Sequence, residues 1–168
     1  MKSLTLVRHA KAEPLAGFAT DFDRPLTERG NRDAARIAVL LGRLAPPVDW
    51  WLSSPAQRTR QTTERIAAET GYTRDVQWEP AIYEASADTL LNLLTTIPQE
   101  VEHAVLVGHN PGVADLVSGL VAGVPSRLNL HMPTAALAHI SLEIFLWNQI
   151  RWGAGQLELL LTPKSLKK

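Results

Sequence analysis

The chain has 168 residues, 17 basic and 17 acidic side chains and no cysteine. That length suits a single domain over residues 1–168, with room for one sizeable core. The charge balance excludes a global basic field for nucleic acid or anionic membrane, and the missing thiols exclude disulfides and cysteine-ligated metal.

No apolar run approaches transmembrane length, and Met1-Lys2-Ser3-Leu4 lacks the long apolar segment of a secretory leader. A membrane is therefore not expected as a partner, and the composition fits a reducing cytoplasm.

The first element predicted is Leu4-Thr5-Leu6-Val7, a near-continuous apolar run of the kind buried on both faces of a parallel sheet. It ends in Arg8-His9. Open α/β sheets bind ligands beyond the carboxyl ends of their strands. There an imidazole can act as a nucleophile or proton carrier, and a guanidinium can grip phosphate oxygens. Taken alone, the pair reads as a solvated strand end; the rest of the chain overturns that reading.

Residues 13–24 carry Pro14, Gly17 and several acids, which reads as a loop crossing that edge of the sheet. Thr27 can cap a helix with Glu28 in its first turn, and Ala34, Ile37, Ala38, Leu41 and Leu44 share the core face. A second strand, Trp50-Trp51-Leu52-Ser53, runs straight into Ser54-Pro55-Ala56-Gln57-Arg58. Ser54 and Gln57 have capping-box spacing with Pro55 at the first helical position, which puts Arg58 in the opening turn of a helix rising from a strand end.

Gly71 closes that helix. Val76-Gln77-Trp78 and then Ile82-Tyr83 form a third extended segment leading to Glu84. Ser86 can cap a helix that turns Leu90, Leu94 and Ile97 inward before Pro98 ends it. Ala104-Val105-Leu106-Val107-Gly108 then repeats the opening device and delivers His109. Asn110 can cap and Pro111 can start the next helix, whose apolar face is Val113, Leu116, Val117 and Leu120, with Gly123 as its stop. His103, His131 and His139 lack strand-end placement and read as surface or core. Residues 137–144 and 156–161 pair most simply as an antiparallel hairpin.

Leu6-Val7-Arg8-His9, Ser53-Ser54-Pro55-x-x-Arg58-Thr59-x-Gln61-Thr62 and Val107-Gly108-His109-Asn110-Pro111, taken in order, resemble the histidine phosphatase superfamily. Arg24-Pro25-Leu26-Thr27-x-x-Gly30 and Met132-Pro133-Thr134-Ala135-Ala136 are similar, more narrowly, to SixA-type bacterial phosphohistidine phosphatases. The fold this implies is a three-layer α/β/α sandwich with a mixed, mostly parallel sheet, as in phosphoglycerate mutases. The resemblance makes His9 a transiently phosphorylated nucleophile, with Arg8, Arg58 and His109 around the phosphoryl group. Glu84 matches the position of the acid that protonates the leaving group in many relatives.

Fixed cations can stabilise a phosphoryl transition state without a metal, so neither metal nor cofactor is expected. Ala10 replaces the glycine common after the first histidine, and the Trp-Asn pair of the mutases is absent from Lys11-Ala12-Glu13-Pro14. Asn110 stands where the acid phosphatase branch has its proton-donating aspartate. The expected activity is removal of phosphate from phosphohistidine on a protein, such as a phosphotransfer domain. A broad phosphatase for small monoesters uses the same five residues. A non-catalytic phosphate-binding signalling module is the remaining alternative, although a receiver would show clustered acids after its first strand.

Overall fold

The apolar run after Met1 becomes the central strand, β1 (Lys2–Arg8), of a six-stranded sheet in a computed structural model that describes residues 1–167. The other strands are β2 (Trp50–Ser53), β3 (Gln77–Trp78), β4 (His103–Gly108), β5 (Leu137–Leu142) and β6 (Gly155–Leu161), in the order β3-β2-β4-β1-β5-β6. Only β5 runs against the rest, because β1, β2, β3 and β4 pair in parallel while β5 is antiparallel to both β1 and β6. The sheet is thus mixed and mostly parallel, and the terminal hairpin is present.

Four helices cover the two faces, completing the expected α/β/α sandwich: α1 (Glu28–Leu41), α2 (Gln57–Thr70), α3 (Ala87–Leu94) and α4 (Gly112–Ala122). Alternation along the strands divides the core. Val7, Trp51, Val105 and Val107 pack against Ile37 and Ala38 of α1 and Ile66 of α2. Leu4, Leu6, Leu52 and Leu106 face Leu90 of α3 and Val113, Leu116 and Leu120 of α4. Each aliphatic side chain so buried contributes roughly 1.5–3 kcal/mol.

Register places the site. Ser3 to Arg8 lie opposite His103 to Gly108, with Arg8 beside Gly108, so the residues that follow, His9 and His109, emerge together at one sheet edge. The His9 amide donates to the Gly108 carbonyl at 3.1 Å, and the Ser54 amide to the Val107 carbonyl at 3.1 Å. Three strands therefore leave the sheet side by side.

Thr27 and Ser86 cap α1 and α3 as their sequences indicate, accepting from the Gly30 and Thr89 amides. Gly71 and Gly123 close α2 and α4 in the left-handed region. Gly30 is required by proximity: a Cβ there would collide with the Lys11 carbonyl oxygen, so α1 can start directly under the chain leaving β1.

Four local expectations need correction. Ser54 and Gln57 form no capping box. α2 starts at Gln57 with Ala56 as its uncapped first flank, so Ser54 and Pro55 both precede the helix, and the Ser54 hydroxyl accepts from the Ala56 amide at 3.3 Å and from His109 at 2.9 Å. Asn110 does not cap α4; Pro111 occupies that position, and the Asn110 amide donates to the Met132 carbonyl at 2.8 Å. The segment after β3 is a single 3₁₀ turn at Pro80–Ile82, with Pro80 at its start, not a strand. α3 stops at Leu94, short of Pro98, although Ile97 is still buried.

His103 and His139 are core residues, joined through Thr5 in the middle of β1. The His103 Nδ1 proton goes to the Pro46 carbonyl at 2.7 Å, which leaves Nε2 to accept from the Thr5 hydroxyl at 2.8 Å. His139 must then donate from Nδ1 to Thr5 Oγ1 at 2.8 Å. Burial lowers the pKa of His103 to about 4, so this chain of bonds holds uncharged rings. His131 is exposed.

Candidate functional site

β1, β2 and β4 end at a cavity of about 660 Å³ whose walls include Arg8, His9, Arg58, Glu84 and His109. All five residues singled out from the sequence line it. Their contacts differ, however, and the structure separates an inner set of four from Glu84.

His9 is 8% exposed, and its Nδ1 lies 2.8 Å from the Ala10 carbonyl oxygen. A carbonyl can only accept, so Nδ1 carries the proton and Nε2 presents its lone pair. Arg58 Nε donates to that lone pair at 3.3 Å. Burial is the main reason the His9 pKa falls to about 3; the Ala10 carbonyl opposes the shift, while His109, Arg58 and Arg8 add to it. At neutral pH the ring is an oriented, neutral base with its lone pair on Nε2.

Arg58 reaches the cavity from the opening turn of α2, and its side chain is 6% exposed. Its Nη2 lies 3.2 Å from His109 Nδ1, and His109 Nε2 lies 2.9 Å from Ser54 Oγ. Arg58 can only donate, so His109 accepts at Nδ1 and donates from Nε2 to Ser54. Burial foremost, with Arg58 next, lowers the His109 pKa to about 4. The His9 and His109 ring centroids are 5.2 Å apart.

Arg8 donates from Nη1 to the Met132 carbonyl at 3.1 Å, the acceptor that Asn110 also uses. Its buried Nε has no hydrogen-bond partner among the described residues. Burial and then Arg58 lower its pKa. The loop after residue 131 closes beneath this pair: the Ala135 amide donates to the Arg8 and His9 carbonyls, with Ala135 itself at φ +61°.

Glu84 is exposed on the rim, in the left-handed region at φ +54°. Non-glycine residues rarely adopt that conformation, and when they do they cluster at functional sites. Among the described residues it forms no ion pair with the arginines. The structure therefore brings it to the cavity mouth and not into the cationic ring.

Three further contributors were not singled out: Ser54 and Thr62 stand within the quoted motif, whereas Asp21 has no motif signal. Asp21, within the loop expected to form the rim, accepts from Arg58 and from Tyr83. Thr62, one turn along α2, accepts from the Ala10 amide at 3.0 Å and donates to the Arg58 carbonyl at 2.7 Å, tying nucleophile loop to helix. Ser54, whose spacing is that of a cap, instead accepts from His109 Nε2 at 2.9 Å.

The arrangement is a cationic pocket around a neutral imidazole, a class of site suited to taking up a phosphoryl group. The chain belongs to the histidine phosphatase superfamily (branch 1), whose family model matches residues 4–110. An uncharacterized protein of Mycobacterium tuberculosis is 33% identical over 138 residues, covering 79% of this chain and 84% of that protein. A structure from Agrobacterium tumefaciens, assigned as the phosphohistidine phosphatase SixA, is similar at 31% identity and TM-score 0.78, covering 96% of this chain and 98% of the other. Another with the same assignment, from Nakamurella multipartitia, has 27% identity and TM-score 0.82, with 96% of each chain covered.

Proposed function

We propose that this protein is a metal-independent phosphatase that works through a phosphohistidine intermediate at His9 and acts on phosphohistidine carried by a protein. The observation that carries the mechanism is the tautomer of His9, whose Nδ1 proton is committed to the Ala10 carbonyl while Nε2 faces the cavity's cations.

In the first step Nε2 attacks phosphorus; the bond from phosphorus to the substrate nitrogen breaks, and the electron pair leaves on the departing imidazole. A substrate ring protonated at its other nitrogen leaves neutral. Arg8 and Arg58 offset charge on the equatorial oxygens, and His109 supplies a further positioned group. In the second step water attacks phosphorus, the bond to Nε2 breaks with its electron pair returning to His9, and orthophosphate departs. No step calls on a metal, and no cluster of His, Asp or Glu suited to holding one occurs among the described residues.

Support for a protein-borne phosphohistidine comes from the two similar structures assigned as SixA and from leaving-group chemistry. An alkyl alcohol needs a proton to leave, a protonated phosphohistidine does not. Glu84 lines the cavity, and in this reading it supplies that proton. Phosphohistidine protein should therefore have the higher kcat/KM, and Glu84→Gln should slow alkyl phosphates more. Paired kinetics decide this: faster turnover of alkyl phosphates, or equal slowing of both classes, would favour a broad monoester phosphatase. Among the described residues no helix is long and apolar enough to cross a membrane.

A further inference from the structure

We propose that Asp21 is a positioning residue that holds the Arg58 guanidinium in register with His9 and His109; the inference deepens, and rests on, the phosphatase reading above. Arg58 must serve several acceptors from one rigid plane. Its Nε points at His9, one Nη2 proton at His109, and the remaining contacts all go to Asp21: Nη1 to the backbone carbonyl at 2.7 Å and Nη2 to Oδ2 at 2.9 Å.

That two-point grip fixes the guanidinium's rotation and keeps its Nε–H edge toward His9. When phosphorus bonds to His9 Nε2, the Nε proton is released to a phosphoryl oxygen. Asp21 thus leaves to the phosphoryl group the donor that faces His9.

Asp21 is itself held. Tyr83 donates to Oδ2 at 2.7 Å, and Arg24 donates from Nε to Oδ1 at 2.9 Å, with its Nη2 2.7 Å from the same oxygen. Arg24 also ties the loop to the Glu13 carbonyl at 2.8 Å. The Tyr83 ring in turn lies edge-on to His109 at 5.3 Å and beneath the Arg58 guanidinium at 5.9 Å. One carboxylate therefore joins two arginines and a tyrosine from three separate segments.

The same contacts argue against a proton-donor role. Tyr83 foremost, with Arg24 and Arg58, holds the Asp21 pKa at about 2 against burial, the second-largest influence, which raises it. At neutral pH the group is a carboxylate.

The test compares wild type, Asp21→Asn, Asp21→Ala, Arg58→Ala and the Asp21→Ala/Arg58→Ala double variant, on phosphohistidine protein and on an alkyl phosphate. Mispositioning Arg58 should lower kcat/KM by about 10- to 100-fold in Asp21→Ala, by the same factor for both substrates. Asp21→Asn, which keeps an acceptor oxygen, should fall between it and wild type. In the Arg58→Ala background the loss of Asp21 should add less than about twofold, the coupling expected of residues acting as a unit. Orthovanadate affinity, measured by calorimetry, should follow the same pattern and reads Arg58 placement without turnover.

Activity of Asp21→Ala within about twofold of wild type, or losses that multiply in the double variant, would overturn the inference. A larger loss on the alkyl phosphate than on phosphohistidine would make Asp21 a proton donor and overturn it equally. Should Asp21→Ala fail to fold, Asp21→Asn and Tyr83→Phe, which removes one donor from Oδ2, are expected to show smaller losses in the same direction; wild-type kinetics and vanadate binding in both would refute it. If wild type hydrolyses neither substrate, the phosphatase reading fails, and the vanadate series still decides the role of Asp21.

Discussion

His9 should remain unprotonated well into acid, because protonating it puts a charge in a buried site already lined by Arg8 and Arg58. Its pKa falls from 6.5 to about 3, with burial as the largest cause. The folded value lies below the unfolded one, so on acidification the unfolded chain takes up the proton first. The stability linked to His9 is complete above about pH 6.5 and drains away as the pH falls toward 3. At pH 5, about 1.5 units below the unfolded value and at about 1.4 kcal/mol per unit, the loss is about 2 kcal/mol.

Two measurements check this. The ring carbon proton of His9, assigned by comparison with His9→Gln, should show no titration in NMR spectra between pH 7 and about 4.5. Urea unfolding at pH 7 and at pH 5 should show a fall in stability about 2 kcal/mol smaller in His9→Gln than in wild type. Because burial outweighs the arginines, Arg58→Gln should leave the His9 pKa well below 6.5. A midpoint near 6 in wild type would refute the buried, oriented base, and a return to 6.5 in Arg58→Gln would show that charge and not burial sets the shift.

Rapid quenching with radiolabelled substrate should trap an acid-labile, alkali-stable phosphoenzyme that is lost in His9→Ala; label on Ser53 or Ser54 would remove His9 as nucleophile. Arg58→Ala should cost about 3 kcal/mol or more of transition-state stabilisation in steady-state kinetics, by analogy with a deleted oxyanion donor. Activity should survive EDTA, whereas abolition by the chelator and recovery with magnesium or manganese would show a metal requirement.

Composition and periodicity determined the class of fold because they reflect burial, which acts locally. Val7 and Val107 are apolar and end in Arg8-His9 and Gly108-His109, so two strands delivering histidines to a ligand-binding edge could be read directly. Arg58 was legible for the same reason: a strand, a turn and a helix start set its place along the chain.

Tertiary structure alone decided which hydrogen bonds those residues make. Ser54 has the spacing of a cap, yet its hydroxyl serves His109, and Asn110 looks like a cap but binds the Met132 carbonyl 22 residues away. In both cases a partner from another segment binds the side chain, a choice invisible to spacing. The tautomer of His9 follows from a carbonyl that only the folded backbone places at Nδ1. Asp21 is one acid among several in a loop with no periodicity, and its bond to Arg58 spans 37 residues. Strand-end position is written in local pattern, whereas the pairing that orients the Arg58 guanidinium exists only once the sheet, the rim loop and α2 have met.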